Sequence, residues 1–202
     1  MLSRKELWGA AVGHFACNYP FYLVLSWLPL YLVRTHGYSL VEMARLGGFV
    51  YALAAASGLF WGALADRLIA RGAGATRVRK GMLCTGIVLG IVSMLAISFD
   101  IPPLAIAGLL VYGVATGLVS FNLLAISQIV SGANAAAKWM GVQNCVANLA
   151  GIVAPIATGA IIDRTGAFGM AFLVAAGVLV VGMFCWGVLV GRVEPLAWKS
   201  RG

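Results

Sequence analysis

Six apolar stretches, each long enough to cross a bilayer and joined by short polar connections, decide the class of this chain. They cover about 7–33, 46–65, 81–99, 104–130, 140–162 and 169–191. A spanning helix needs about 20 apolar residues at about 1.5 Å each. The first and fourth runs exceed that minimum and must tilt, bend or project. Pro20, Pro29 and Pro155 are the expected bends, because each removes a backbone donor from a helix. Hydrophobic residues make up 62% of the chain and charged residues 10%, whereas a soluble domain is about half apolar and about a quarter charged. A soluble fold of this length has no interior large enough for that much apolar surface. A soluble enzyme, a disordered tail and a secreted disulfide scaffold are therefore excluded. The sequence predicts an all-α membrane protein with six transmembrane helices in a lipid bilayer. No cleavable signal is read at the start, since the first run is too long for a secretory apolar segment.

The basic residues set the expected orientation. With the N-terminus on one side, that side collects Arg4, Lys5, Arg67, Arg71, Arg77, Arg79, Lys80, Lys138, Arg192, Lys199 and Arg201. The other side receives Arg34, Arg45 and Arg164. Eleven against three places both termini and the 66–80 loop in the cytoplasm of a cell with this protein in its inner or plasma membrane. The net charge of +8 is thus a topology signal spread over loops, and no nucleic-acid partner is read from it. Cys17, Cys84, Cys145 and Cys185 all lie inside apolar runs and read as small buried residues. No metal-ligand set and no cofactor is implied.

An internal repeat organises the runs. Gly62-Ala63-Leu64-Ala65-Asp66-Arg67 ends the second run, and Gly159-Ala160-Ile161-Ile162-Asp163-Arg164 ends the fifth. The same offset carries Leu7, which opens the first run, onto Leu104, which opens the fourth. The chain divides into triplets, 1–99 and 100–202. Three spans is an odd number, so the triplets are inverted, as in many secondary transporters.

Polar residues sort by position in the triplet. The third and sixth runs hold no Asn, Gln, His or Tyr and read as lipid-facing walls. His14, Asn18 and Tyr22 recur every four residues on one face of the first run, as do Tyr112, Thr116 and Ser120 on the fourth. The fifth carries Gln143, Asn144 and Asn148. Two readings stay open: a hydrated cavity between these runs, or interhelical hydrogen bonding. Gly-x-x-x-Gly pairs at Gly9/Gly13, Gly58/Gly62, Gly86/Gly90, Gly113/Gly117 and Gly187/Gly191 predict close helix packing. No Asp, Glu, Lys or Arg lies in the middle of a run. His14 alone titrates near neutrality inside one, and by itself reads as a packed histidine rather than a proton carrier. At the end of the second run, Gly62 permits a close neighbour and Asp66 can pair with Arg67 or Arg71, or accept from a helix N-terminus, as a latch. The alternative is a plain charged stop with Arg67 snorkelling.

Gly13-His14-Phe15, Asn18-Tyr19 and Trp27-Leu28-Pro29-Leu30-Tyr31-Leu32-Val33 resemble the seventh helix of major facilitator superfamily transporters. The subfamily resembled is the anion:cation symporters, which include hexuronate, galactonate and tartrate permeases. Gly62-x-x-x-Asp66-Arg67-x-x-x-Arg71-Gly72 through Arg77-Val78-Arg79-Lys80 is similar to that family's loop between helices eight and nine. Gly141-Val142-Gln143-Asn144 through Asn148, Pro155 and Gly159 resembles helix eleven, and Val193-Glu194-Pro195 fits the tail. The resemblance implies the second half of a twelve-helix fold. It implies a small organic anion as substrate, H+ or Na+ as coupling cation, and alternating access. Its missing partner is an N-terminal six-helix half, where the family keeps its fixed arginine and acidic proton site. A truncated frame, a fragment or a split gene would each account for the length. It also implies that Asn18, Tyr19, Tyr22 and Asn144 face substrate and that Asn148 packs. Many members place a tryptophan where Leu123 falls, which implies an altered substrate or a degraded copy. The competing readings are a complete six-helix protein acting as a homodimeric transporter, and an intramembrane serine protease using Ser57 and His14. The second lacks a Gly-x-Ser-Gly setting. A channel fits less well, with no ring of charge or filter-like loop.

Overall fold

A computed structural model describes residues 1–198. Lys199 and Arg201, counted above with the basic side, lie outside the described residues. All the regular structure among the described residues is helical: α1 Lys5–His36, α2 Leu40–Ala70, α3 Gly81–Ser98, α4 Pro102–Ser131, α5 Ala136–Asn148, α6 Ala150–Thr165 and α7 Gly169–Phe184. A π turn, Thr76–Lys80, leads into α3, and another, Cys185–Leu189, extends α7. Six segments are long and apolar enough to cross a membrane, with α5 and α6 forming one of them.

Local chemistry sets the ends. α1 runs past Val33 to Gly37, whose φ of +67° suits glycine and whose N–H reaches the Val33 carbonyl at 3.2 Å. α2 begins six residues before the apolar run. Ser39 Oγ accepts from Glu42 N at 3.3 Å while Glu42 Oε2 accepts from Ser39 N at 2.9 Å, a reciprocal cap. α4 opens on Pro102, where no N–H is needed. α1 stays one helix through Pro20 and Pro29. The fifth span breaks at Leu149, one and a half turns before the expected bend at Pro155. The proline ring crowds the carbonyl four residues back, so distortion falls on its N-terminal side. The chain tightens there, with Leu149 N bonded to Val146 O at 3.2 Å and Ile152 N to Leu149 O at 3.0 Å. Asn148 Nδ2 donates to Asn144 O at 2.8 Å, keeping that carbonyl satisfied.

The bundle interleaves the triplets. α2 packs on α4, and α1 packs on α5 and α6. α3 packs on α4 and α7, and α7 also packs on α1. The pattern is unchanged when α1, α2 and α3 are exchanged for α4, α5–α6 and α7. Glycine makes the closest approaches. A Cβ added at Gly117 of α4 would stand 2.5 Å from the backbone nitrogen of Gly58 on α2, and Ser57 Oγ donates to Val114 O at 2.9 Å beside it. A Cβ on Gly13 would stand 2.6 Å from the Trp186 indole nitrogen. Gly62 makes ordinary contact with Phe121. Gly187 and Gly191 meet nothing within 4 Å.

The third and sixth runs are walls on one face only. α3 leaves Val88, Val92 and Leu95 exposed and buries Leu83, Ile87 and Met94. α7 leaves Val180, Val181 and Phe184 exposed and buries Phe172, Ala175 and Leu179. Small residues let an apolar helix pack without polar groups, so lack of polarity did not mean lack of neighbours. Of the cysteines, Cys185 is buried, Cys17 and Cys84 are half-buried, and Cys145 is exposed on α5 rather than packed.

Candidate functional site

A cavity of about 310 Å³ lies among α1, α3, α4, α5 and α7. That is the lower end of the range for small-molecule sites. α1 contributes His14 and Asn18, α4 contributes Tyr112, Thr116, Ser120 and Leu123, and α5 contributes Asn144. Ile87 of α3 and Leu179 of α7 close the apolar side, and Gly86 and Gly90 leave it room. No Asp, Glu, Lys or Arg is among the lining residues.

The polar groups differ in what they have left to offer. Thr116 Oγ1 donates to Tyr112 O at 2.9 Å and Ser120 Oγ to Thr116 O at 2.8 Å, so both hydroxyls have used their protons and face the cavity as acceptors. Asn18 Nδ2 lies 3.4 Å from Ala147 O, a long bond that ties α1 to α5. The Asn144 amide makes no side-chain bond within the described residues and stands exposed. His14 Nδ1 lies 3.3 Å from Gln143 Nε2, and Gln143 Oε1 accepts from Trp139 Nε1 at 3.0 Å. Gln143 and Trp139 are fully buried.

The structure thus brings together six of the eight expected cavity residues: His14, Asn18, Tyr112, Thr116, Ser120 and Asn144. It places the other two elsewhere. Tyr19 is buried in the core, because the residue next to Asn18 is turned about 100° around the helix. Tyr22 donates its hydroxyl to Asn148 Oδ1 at 2.7 Å, so it fastens α1 to α5. Gln143, one of the polar residues of the fifth run, is not among the lining residues but stands behind His14, and its link to Trp139 was not expected. The signal for it was present, since Trp139 and Gln143 are four residues apart on one helix and one donates what the other accepts.

The basic loop gives Asp66 a different partner from those expected. Arg79 Nη2 lies 2.7 Å from Asp66 Oδ1. Arg67, the next residue, points to another face of α2, and Arg71 is the C-cap, five residues on. The chain turns back through Thr76–Lys80 and lays Arg79 against the end of α2. In the same turn Lys80 Nζ donates to Gly187 O at 3.0 Å and Gly191 O at 2.7 Å, and Thr76 Oγ1 accepts from Val193 N at 3.0 Å. The protease pair is not assembled: Ser57 bonds a backbone carbonyl and His14 bonds Gln143.

Residues 1–145 match the family model of the Major Facilitator Superfamily. The chain belongs to this superfamily. Similar proteins include a hexuronate transporter of Bacillus subtilis, 29% identical over all of this chain and 48% of its own length. A probable galactarate/D-glucarate transporter of Escherichia coli is 26% identical over 98% of this chain and 44% of its own. A probable chloroplastic anion transporter of Oryza sativa is 32% identical over 89% of this chain and 33% of its own. The chain therefore spans less than half the length of these superfamily relatives, which are transporters and not enzymes. Among solved structures, a peptide transporter in complex with sulfate superposes with a TM-score of 0.77 at 20% identity, over 96% of this chain and 41% of that one. A bacterial homolog of the human lysosomal transporter Spinster, inward-facing and occupied, gives 0.75 at 16%, over 98% and 51%. At that identity the likeness is one of fold: half of a major facilitator bundle.

Proposed function

We propose that this chain is the C-terminal half of a secondary active transporter of organic anions, sugar acids or related carboxylates. Coupling is to H+ or Na+ and the cycle is alternating access, with the second half supplied by an N-terminal six-helix bundle. The observation that carries the reading is the cavity. It offers hydroxyl acceptors, an uncommitted amide and a histidine, which suit a polyhydroxylated anion, and no fixed charge to drive coupling. Exposure supports a partner bundle. Only 22% of the apolar window is buried in α2 and in Ala136–Thr165, against 50% in α1 and α4, and the open face of α5 presents the unbonded amide of Asn144. Amides facing lipid are costly, whereas amides facing a second bundle or a hydrated cleft are satisfied. The names of the relatives supply the substrate class. The exchange symmetry of the packing supports reading 1–99 and 100–202 as inverted repeats.

Reconstituted alone under an imposed proton or sodium gradient, the chain is expected to accumulate no glucuronate or galactarate. Robust coupled uptake by the chain alone overturns the half-transporter reading in favour of the homodimer. The proposed orientation puts both termini and the 66–80 loop in the cytoplasm and the protein in the plasma membrane, on the basic-residue bias. In a cysteine-free background, Pro102→Cys is expected to react with an impermeant maleimide in intact cells and Gly74→Cys only after the cells are permeabilised. Labelling of both from the same face overturns the six-span orientation.

A further inference from the structure

The bonds behind His14 reach further than a lining residue needs. Trp139 Nε1 can only donate, so the Gln143 atom 3.0 Å from it is the amide oxygen. The other end of that amide is then the NH2 group, and it lies 3.3 Å from His14 Nδ1. An NH2 group can only donate, so Nδ1 is the unprotonated ring nitrogen and the proton of the neutral ring sits on Nε2. We infer that His14 is a specificity-determining donor to the transported anion, fixed as its Nε2–H tautomer by Trp139 acting through Gln143. This rests on the reading of the cavity as the substrate site.

The lock is firm because its anchor is buried. Trp139 and Gln143 are inaccessible to solvent, so no water can replace a lost partner. Placing a proton on Nδ1 would set it against the amide NH2. Turning the amide to accept it would set NH2 against the indole N–H and leave the tryptophan without an acceptor. The ring therefore works as an oriented donor and not as a shuttle that exchanges protons between its two nitrogens. Nε2 has no protein partner among the described residues, and His14 lines the cavity. Thr116 and Ser120 across the cavity, their protons used, present acceptors. A ligand meeting both walls needs an oxygen acceptor for His14 and hydroxyl donors for α4, which is the pairing a hydroxy acid carries on adjacent carbons. Trp139 and Gln143 are positioning residues in this arrangement.

The test reads the tautomer directly. The chain has two histidines, so His36→Gln with ring-15N histidine, in lipid nanodiscs, leaves one ring to observe. The expected result is a single species with the proton on Nε2 and a bare Nδ1. A proton on Nδ1, or an even mixture, overturns the lock. In the same background Gln143→Glu supplies a carboxylate that accepts from Trp139 and from the ring together, and the proton is expected to move to Nδ1. If that variant does not fold, Trp139→Phe frees the amide to turn and is expected to give both tautomers. An unchanged single Nε2–H species in the folded variant overturns the role of Trp139 and Gln143. Galactarate added to the labelled His36→Gln chain assembled with its unlabelled second half is expected to shift the Nε2–H resonance. A locked ring that does not respond at saturating galactarate or glucuronate leaves the tautomer standing and overturns the substrate role, so the two failures are told apart.

Discussion

Replacing Asn144 by alanine is expected to raise the apparent KM for a sugar-acid anion about tenfold to a hundredfold when the transporter is assembled with its second half. The Asn144 amide lines the cavity and spends neither its donors nor its acceptor on protein side chains among the described residues. A hydrogen bond from such a group to a charged ligand is worth about 1.5–3 kcal/mol, which gives that range. Asn148 is the control one turn away. Its oxygen accepts from Tyr22 and its nitrogen donates to the Asn144 carbonyl, so both ends are committed to packing. Asn148→Ala is expected to leave KM in place and to lower stability by about 0.6–2 kcal/mol, the worth of an interhelical bond in a bilayer. Uptake kinetics and thermal melting on the two variants separate the roles. If Asn144→Ala lowers the melting temperature and leaves KM alone, the polar face of α5 is packing and not a binding surface.

The second large effect is expected at the crossing of α2 and α4. Gly117→Leu brings a Cβ to 2.5 Å from the Gly58 backbone nitrogen and 2.6 Å from Ser57 Cβ, and neither can rotate out of the way. Overpacking where side chains can shift costs about 1–3 kcal/mol. Here the helices themselves must part, which also breaks the Ser57 bond to Val114. The variant is expected to lose most of its monodisperse protein in detergent and to melt well below the parent. Gly74→Leu, in open space, is expected to match the parent. A Gly117→Leu protein with parental melting would mean that α2 and α4 do not cross at this point.

The class of fold and the number of spans were legible because they rest on hydropathy, which a membrane enforces along the chain rather than across it. Most of the polar lining was legible for a related reason. Residues four apart share a helix face, and that spacing found His14 with Asn18 and Tyr112 with Thr116. Over eight residues the face drifts by about 80°. Ser120 is accordingly the most exposed of its set, and Tyr22, beyond Pro20, turns to α5 instead. What escaped was set by contacts distant in sequence or by backbone detail. Arg79 finds Asp66 only because a π turn folds the loop back. The start of α2 was placed late because its cap, Ser39 with Glu42, lies outside the apolar run. The break at Leu149 falls short of Pro155 because a proline disturbs the turn before it.

The interleaving of the triplets also fixes an order of events during synthesis. Ser57 and its acceptor on Val114 are 57 residues apart. At about 5–20 residues per second, Ser57 is translated roughly 3 to 11 s before Val114, so α2 leads the segment it packs against into the bilayer by about that interval. Helices entering a membrane first stand as separate spans and associate afterwards. In that interval the small-residue face of α2 around Gly58 lacks the helix it packs against in the folded bundle. The nascent chain can settle into its bundle only after the fourth span leaves the ribosome, and α1 must wait longer still for α5. A chain released after α3 would leave three inserted helices without the partners that order them.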